Sequence, residues 1–323
     1  MSEQPLIFMS ESLGFSPVAL TALRQFAELR MGDATREELL AGVKDAEVLW
    51  IRLRHQIDRE LFTAAAKLKM IVTPTTGLNH IDLAAAQEHG VRVLSLQGET
   101  DFLKDIRATA ELTVGLMLAL LRQLPAATRY AREGGWNRDL FQGRELCGKT
   151  VGIIGFGRLG KLVARYLAAF DCRLLAVDPH RSPSAMPANV ELLPLEQVLQ
   201  QAEIVTLHVN LCEATAGFFG RREFRQMRPG AWFINTARGE LIDEVALATS
   251  LREGRLAGAA LDVLSHESSA GMGGHSLVAL ARQQENLLLT PHLGGCTAES
   301  MAKTEAFMAE KFIQAWSTLL TSR

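Results

Sequence analysis

The stretch VGIIGFGRLGKLVARYLAAFDCRLLAVDPH, residues 151–180, constrains the fold more than any other part of the chain. Its opening apolar run reads as a buried strand and ends on Gly155, Gly157 and Gly160, spaced G-x-G-x-x-G. Apolar residues then recur at helical spacing, and a second apolar run closes on Asp178, 23 residues after Gly155. Strand, glycine turn, helix and strand in that order make a βαβ unit of a parallel, doubly wound sheet. Gly155 allows the tight turn, Gly157 lets backbone amides approach a pyrophosphate, and Gly160 lets helix and strand pack closely. Arg158 and Leu159 complete the loop at the helix N-terminus, where unpaired amides favour an anion. Asp178 is suited to accept hydrogen bonds from ribose hydroxyls and to repel a 2′-phosphate. The cofactor expected is therefore NAD; Arg181, three residues on, keeps NADP as the weaker alternative.

The same alternation runs through the whole chain. LIFMS, AEVLWIRL, KMIVTPTTG and VRVLSL are β-like runs separated by helical ones before this unit, and EIVTLHV, AWFINTA, LAGAALDV and NLLLTPH continue the series after it. At 323 residues the chain exceeds one ordinary core. The expected architecture is α/β, two doubly wound parallel-sheet lobes. The stretch from Ala108 to Arg132 reads as a connector between the lobes, and AESMAKTEAFMAEKFIQAWSTLL as a helix returning to the first. Residues 108–297 are thus expected to form the dinucleotide-binding domain, and residues 1–107 with 298–323 the substrate domain.

Composition narrows the partners. A net charge of −2 with 22% charged residues lacks the basic excess of a nucleic-acid binder, so no nucleic-acid partner is expected. Cys147, Cys172, Cys212 and Cys296 are far apart and form no CxxC or Cys/His cluster, which argues against a disulfide framework or a metal site. A reducing, cytoplasmic setting fits. MSEQPLIFMS has neither the basic start nor the apolar core of a signal peptide. The most apolar run, Leu112 to Leu121, is too short to span a bilayer and is bounded by Glu111 and Arg122, so no membrane partner is expected.

Three ionisable residues follow the ends of apolar runs in the second series: Arg238 in FINTARGELID, Glu267 in AALDVLSHE and His292 in LLLTPHLGG. In doubly wound sheets the carboxyl ends of the strands face the ligand crevice, so the three can converge. One alone would mean little, since a lone His is more often a hydrogen-bonded core residue and a lone Arg a surface ion pair. Three of complementary type, all behind a dinucleotide site, point to one shared site.

At this point the chain resembles the D-isomer-specific 2-hydroxyacid dehydrogenases, the phosphoglycerate and glycerate dehydrogenase group, over nearly its whole length. The motifs that carry the resemblance are TTGLNHID, ATAELTVGLMLAL, GFGRLG, INTARGELID, AALDV followed by Glu267, and TPHLGG. The resemblance implies a Rossmann domain inserted into a flavodoxin-like substrate domain, a small 2-keto/2-hydroxy acid as substrate and a homodimer. It implies that Arg238 binds and polarises the keto acid, that His292 is the acid/base and that Glu267 is its partner. It puts Thr206, Asn235, Thr236, Ala237, Asp262 and Gly294 around the cofactor, with Asp262 holding the nicotinamide carboxamide. Thr75, Thr76 and Gly77 fall on the loop whose amides hold the substrate carboxylate, and Arg52 on the substrate side. Two other functions are conceivable on this scaffold, NADH sensing without catalysis and formate or phosphite oxidation; Glu267 and the retained Arg238 and His292 favour hydroxyacid chemistry.

Four features depart from the family pattern. Thr75-Thr76-Gly77 replaces the usual GxG, Asn210 stands where proline is usual, and LSHESSAGMGG replaces an acidic, proline-bearing stretch. The fourth is GETDFLKDIRATAE, residues 98–111, which is longer than usual and carries six charges. Lys104 and Arg107 would suit a second anionic group on the substrate, with Glu99, Asp101 and Asp105 as their alternative partners; a self-satisfied charged loop is equally consistent.

Overall fold

In both halves of the chain the short apolar runs become strands that pair in parallel. The computed structural model describes residues 4–267 and 271–321. The chain divides into two units, Met1–Ile106 with Thr297–Arg323, and Arg107–Cys296.

The smaller unit holds β1 (Leu6–Met9), β2 (Glu28–Met31), β3 (Val48–Trp50), β4 (Met70–Val72) and β5 (Arg92–Leu94), in the spatial order β2-β1-β3-β4-β5. In β1, β3 and β4 successive side chains go to opposite faces and both faces are buried, which is why those runs look apolar throughout rather than alternating, whereas the edge strand β2 is mostly exposed. Ile7, Met9, Val48, Trp50, Met70 and Val72 pack under the helix Pro17–Phe26 and the last helix, Ala298–Thr321, through Leu23, Met308, Phe312 and Trp316. Phe8, Leu49 and Ile71 meet Leu39, Leu61, Phe62 and Ala85 on the other face.

The larger unit holds β6 (Thr150–Ile154), β7 (Arg173–Val177), β8 (Val190–Leu192), β9 (Ile204–Leu207), β10 (Ala231–Asn235), β11 (Leu256–Leu261) and β12 (Leu287–Leu289), ordered β12-β11-β10-β9-β6-β7-β8. The order reverses between β6 and β9, which opens a crevice at their carboxyl ends. This is the dinucleotide-binding order with one strand added at the edge.

Two stretches take definite places. The helix Ala108–Leu121 is part of the larger unit's core: Ala110, Val114, Met117 and Leu120 pack against Val151, Ile153, Phe156 and Leu167. A helix that is apolar all round must be buried on more than one side, and this periodicity-free pattern was the signal for it. In the charged 98–107 segment, the uncharged residues fix the position. Leu103 and Ile106 join the smaller unit's core, and Phe102 stacks on Phe307 with ring centroids 4.0 Å apart. Among the described residues, no single helix is long and apolar enough to cross a membrane.

Candidate active site and dinucleotide loop

The turn after β6 is built for close backbone approach. Gly155 has φ +94°, a region costly for other residues, and a Cβ there would lie 2.6 Å from the His208 carbonyl oxygen. The helix Arg158–Ala168 starts at Gly157 with no side chain capping its first amides, and a Cβ on Gly157 would meet nothing within 4 Å. Amides without a side-chain cap, facing open space at the N-terminus of a long helix, suit a pyrophosphate. Arg158 lies at this point, its guanidinium pKa lowered by burial. Asp178, just after β7, accepts hydrogen bonds from the amides of Phe156 (3.0 Å) and His180 (2.9 Å), so the glycine turn itself orients the carboxylate. The residues present fit a dinucleotide.

Beyond β10, β11 and β12 the three ionisable residues come together. His292 Nδ1 donates to Glu267 Oε2 at 2.6 Å, and Glu267 Oε1 accepts the Leu264 amide at 2.9 Å. Burial would raise the Glu267 pKa, but the hydrogen bond and charge of His292, the Leu264 amide and the Arg238 guanidinium together hold it below the ordinary carboxylate value. Arg238 is drawn the other way: burial lowers its pKa, while Glu240 and Glu267 oppose that shift. His292 has φ +53°, the left-handed region, a strained backbone of the kind that clusters at functional sites. Its own amide donates to the Asp262 carbonyl at 2.9 Å, which helps hold that turn.

A match to the D-isomer specific 2-hydroxyacid dehydrogenase NAD-binding domain covers residues 114–294. The chain belongs to this dehydrogenase family. D-3-phosphoglycerate dehydrogenase of Mycobacterium tuberculosis is 37% identical over 95% of this chain and 56% of that protein. The chain spans about half the length of the curated relatives it matches. Among solved structures, a protein of Thermus thermophilus is 34% identical with a TM-score of 0.80, covering 94% of each chain. The apo-structure of D-lactate dehydrogenase from Escherichia coli is 26% identical with a TM-score of 0.83, covering 98% of this chain and 97% of that one.

Within this dehydrogenase fold, several residues expected around the cofactor have their side chains engaged inside the protein. Asn235 closes its own turn, accepting from the Ala237 amide at 3.0 Å and donating to the Arg238 carbonyl at 2.8 Å. Thr236 and Thr113 share a 2.8 Å hydrogen bond, and Thr206 lies 3.1 Å from His208 Nε2. Asp262 accepts from Thr290 Oγ1 (2.6 Å), the Leu293 amide (2.7 Å) and the Gly294 amide (2.8 Å). Its carboxylate is thus the latch of the turn that carries His292. Burial raises its pKa against those hydrogen bonds.

In the smaller unit, Thr75 Oγ1 donates to the Gly77 carbonyl at 2.9 Å and lies 3.0 Å from Thr73 Oγ1. Thr75 and Thr76 are absent from the residues with positive φ, so this loop keeps its course without glycine at its first position, and Thr76 is exposed beside a partly buried Gly77. The Arg52 guanidinium is bound by Glu305 and by the Leu13 carbonyl. Lys104 pairs with Asp101 on the surface, and Arg107 precedes the helix Ala108–Leu121.

Sequence reasoning missed three supports of the site. Gly239 is one: a Cβ there would collide with the Leu264 carbonyl carbon and the Ser265 nitrogen, so the Glu267 loop crosses directly over the residue after Arg238. Glu244 is another, accepting the Ser265 amide at 2.7 Å and contacting His275 Nε2 at 3.1 Å. Glu305 is the third. Only Gly239 left a trace in the sequence, as the glycine of the ARG motif.

Proposed function

We propose that the chain is an NAD(H)-dependent oxidoreductase that interconverts a small 2-keto acid and its D-2-hydroxy acid. The observation that carries this reading is the 2.6 Å contact of His292 Nδ1 with Glu267 on the carboxyl side of a dinucleotide-binding sheet, with the Arg238 guanidinium electrostatically coupled to the same carboxylate. A bound nicotinamide would supply the hydride. Glu267 fixes the imidazole with its proton on Nδ1, which leaves Nε2 to deliver a proton to the keto oxygen and, in oxidation, to take it back. Arg238 offers a planar fork that binds the acid and offsets the charge developing on oxygen. Thr75, Thr76 and Gly77 are assigned to the substrate carboxylate. Asp178, oriented by Phe156 and His180, supports NAD over NADP.

We further infer a homodimer and, from the scattered cysteines, a cytoplasmic setting. The helix Leu124–Arg132 buries none of its residues, and Trp136 beside it is 92% exposed, which suits this face to a second copy. Trp136→Glu should convert a dimer to a monomer in size-exclusion chromatography with light scattering. Activity is tested by mixing purified protein with NADH and a panel of 2-keto acids and following absorbance at the reduced nicotinamide band. Turnover of at least one acid is expected; cofactor binding without turnover of any would contradict the reading.

A further inference from the structure

In a sheet of order β2-β1-β3-β4-β5, ligands bind outside the carboxyl ends of the strands, at the switch point between β1 and β3. Here the chain fills that position itself. Glu11, just past β1, accepts the amides of Arg52 (2.9 Å), Leu53 (3.2 Å) and Arg54 (3.1 Å), three consecutive donors past β3. Such a run of amides is an anion-binding concavity, and Glu11, only 6% exposed, is its anion.

Four cations along the same edge are compensated too. Arg52 Nε donates to Glu305 at 3.0 Å, its Nη2 donates to the same oxygen, and its Nη1 donates to the Leu13 carbonyl at 2.9 Å. Glu305 is fully buried on the last helix, and its other oxygen accepts the Ser16 amide at 2.7 Å, at the start of the helix Pro17–Phe26. Breaking such a pair leaves a buried charge, so Arg52 is not readily surrendered to a ligand. Arg54 donates to Asp33 at 3.2 Å. Past β5, Lys311 donates to Glu99 at 2.6 Å and to the Ser95 carbonyl at 2.8 Å, and Lys104 is paired with Asp101.

We propose that this charge-compensated edge makes the chain select 2-keto acids with one anionic group, of the size of glyoxylate, pyruvate or hydroxypyruvate, over acids with a second, distal phosphate or carboxylate. The proposal rests on the function proposed above and narrows its substrate class. A single carboxylate needs only the Thr75–Gly77 loop assigned to it above, whereas a distal phosphate or carboxylate has to compete with Glu305 or Glu11 for groups they already hold. Glu305 is the specificity-determining residue, because it turns Arg52 from an anion receptor into part of the scaffold.

The test compares kcat/KM with NADH for glyoxylate and hydroxypyruvate against 3-phosphohydroxypyruvate and 2-oxoglutarate, in the full chain. The singly charged acids should lead by roughly tenfold or more, and Glu305→Gln should shrink that lead by about tenfold through better use of the dianions. Equal or better turnover of 3-phosphohydroxypyruvate by the unaltered chain overturns the proposal, and so does a ratio unmoved in the variant. If Glu305→Gln does not fold, Asp33→Asn, on a partly exposed pair, makes the same comparison through Arg54. A protein that binds NADH but turns over none of the acids contradicts the enzymatic reading instead; selectivity is then read by calorimetric titration of the same acids, with tighter dianion binding as the overturning result.

Discussion

At the scale of single residues, the proposed chemistry turns on His292 and the groups that set its proton. His292→Ala should lower kcat by about 10²–10⁴-fold, the usual worth of a positioned acid/base, while leaving the NADH dissociation constant within a factor of two or so. Loss of NADH binding in parallel with turnover would assign the residue to the cofactor. Glu267 gives a prediction with a sign. Its folded pKa lies below the ordinary 4.5, so its contribution to stability is complete above that value and is lost as pH falls through the folded pKa. The acid limb of kcat/KM attributable to this carboxylate should therefore lie below pH 4.5, and Glu267→Gln should abolish it. These residues were legible in the sequence because their types are complementary and each follows an apolar run. Glu11 and Glu305 were not legible, since a carboxylate in a loop or on a helix face looks the same whether it meets water or a buried guanidinium.

At the scale of elements, the loops beyond β10, β11 and β12 act as one framework. Asp262 ties the turn of His292 to the end of β11, Glu244 holds Ser265, and Gly239 lets the Glu267 loop pass over the Arg238 turn. Gly239→Ala should leave the sheet intact yet push Leu264 and Ser265 outward. Displacement of about 1 Å at a catalytic group costs on the order of 10²-fold in rate, so kcat should fall by that factor with a modest loss of melting temperature. Unchanged kcat would mean that the loop position is not set here. The parallel α/β architecture was readable from alternating apolar runs, but the edge strands β2 and β8 and these crossings were not; the crossings depend on distances between segments far apart in the chain. The helix Ala108–Leu121 carries the same lesson: its sequence announced burial, and the absence of a polar face showed that it belongs within a core rather than across a gap.

At the scale of the whole molecule, two parallel sheets explain why the chain reads as almost uniformly apolar runs, and why polar groups that enter those cores carry a cost. His208, past β9, is the sharpest case: its Nδ1 is buried without a hydrogen-bond partner, and burial pushes the imidazole down to about 4. Above pH 6.5 it is neutral in both folded and unfolded chains; as pH falls from there through about 4, the unfolded chain takes up a proton that the folded one does not. The larger unit should lose stability over that window, and His208→Gln should flatten the dependence of melting temperature on pH. The proposed stereospecific reduction of a keto acid by Arg238, Glu267 and His292 is read by chiral analysis of the product. Hydroxypyruvate or another accepted 2-keto acid, reduced with NADH by the purified chain, should give the D-2-hydroxy acid alone, with formation lost in His292→Ala. An L or racemic product, or a D product formed equally well without His292, would contradict it.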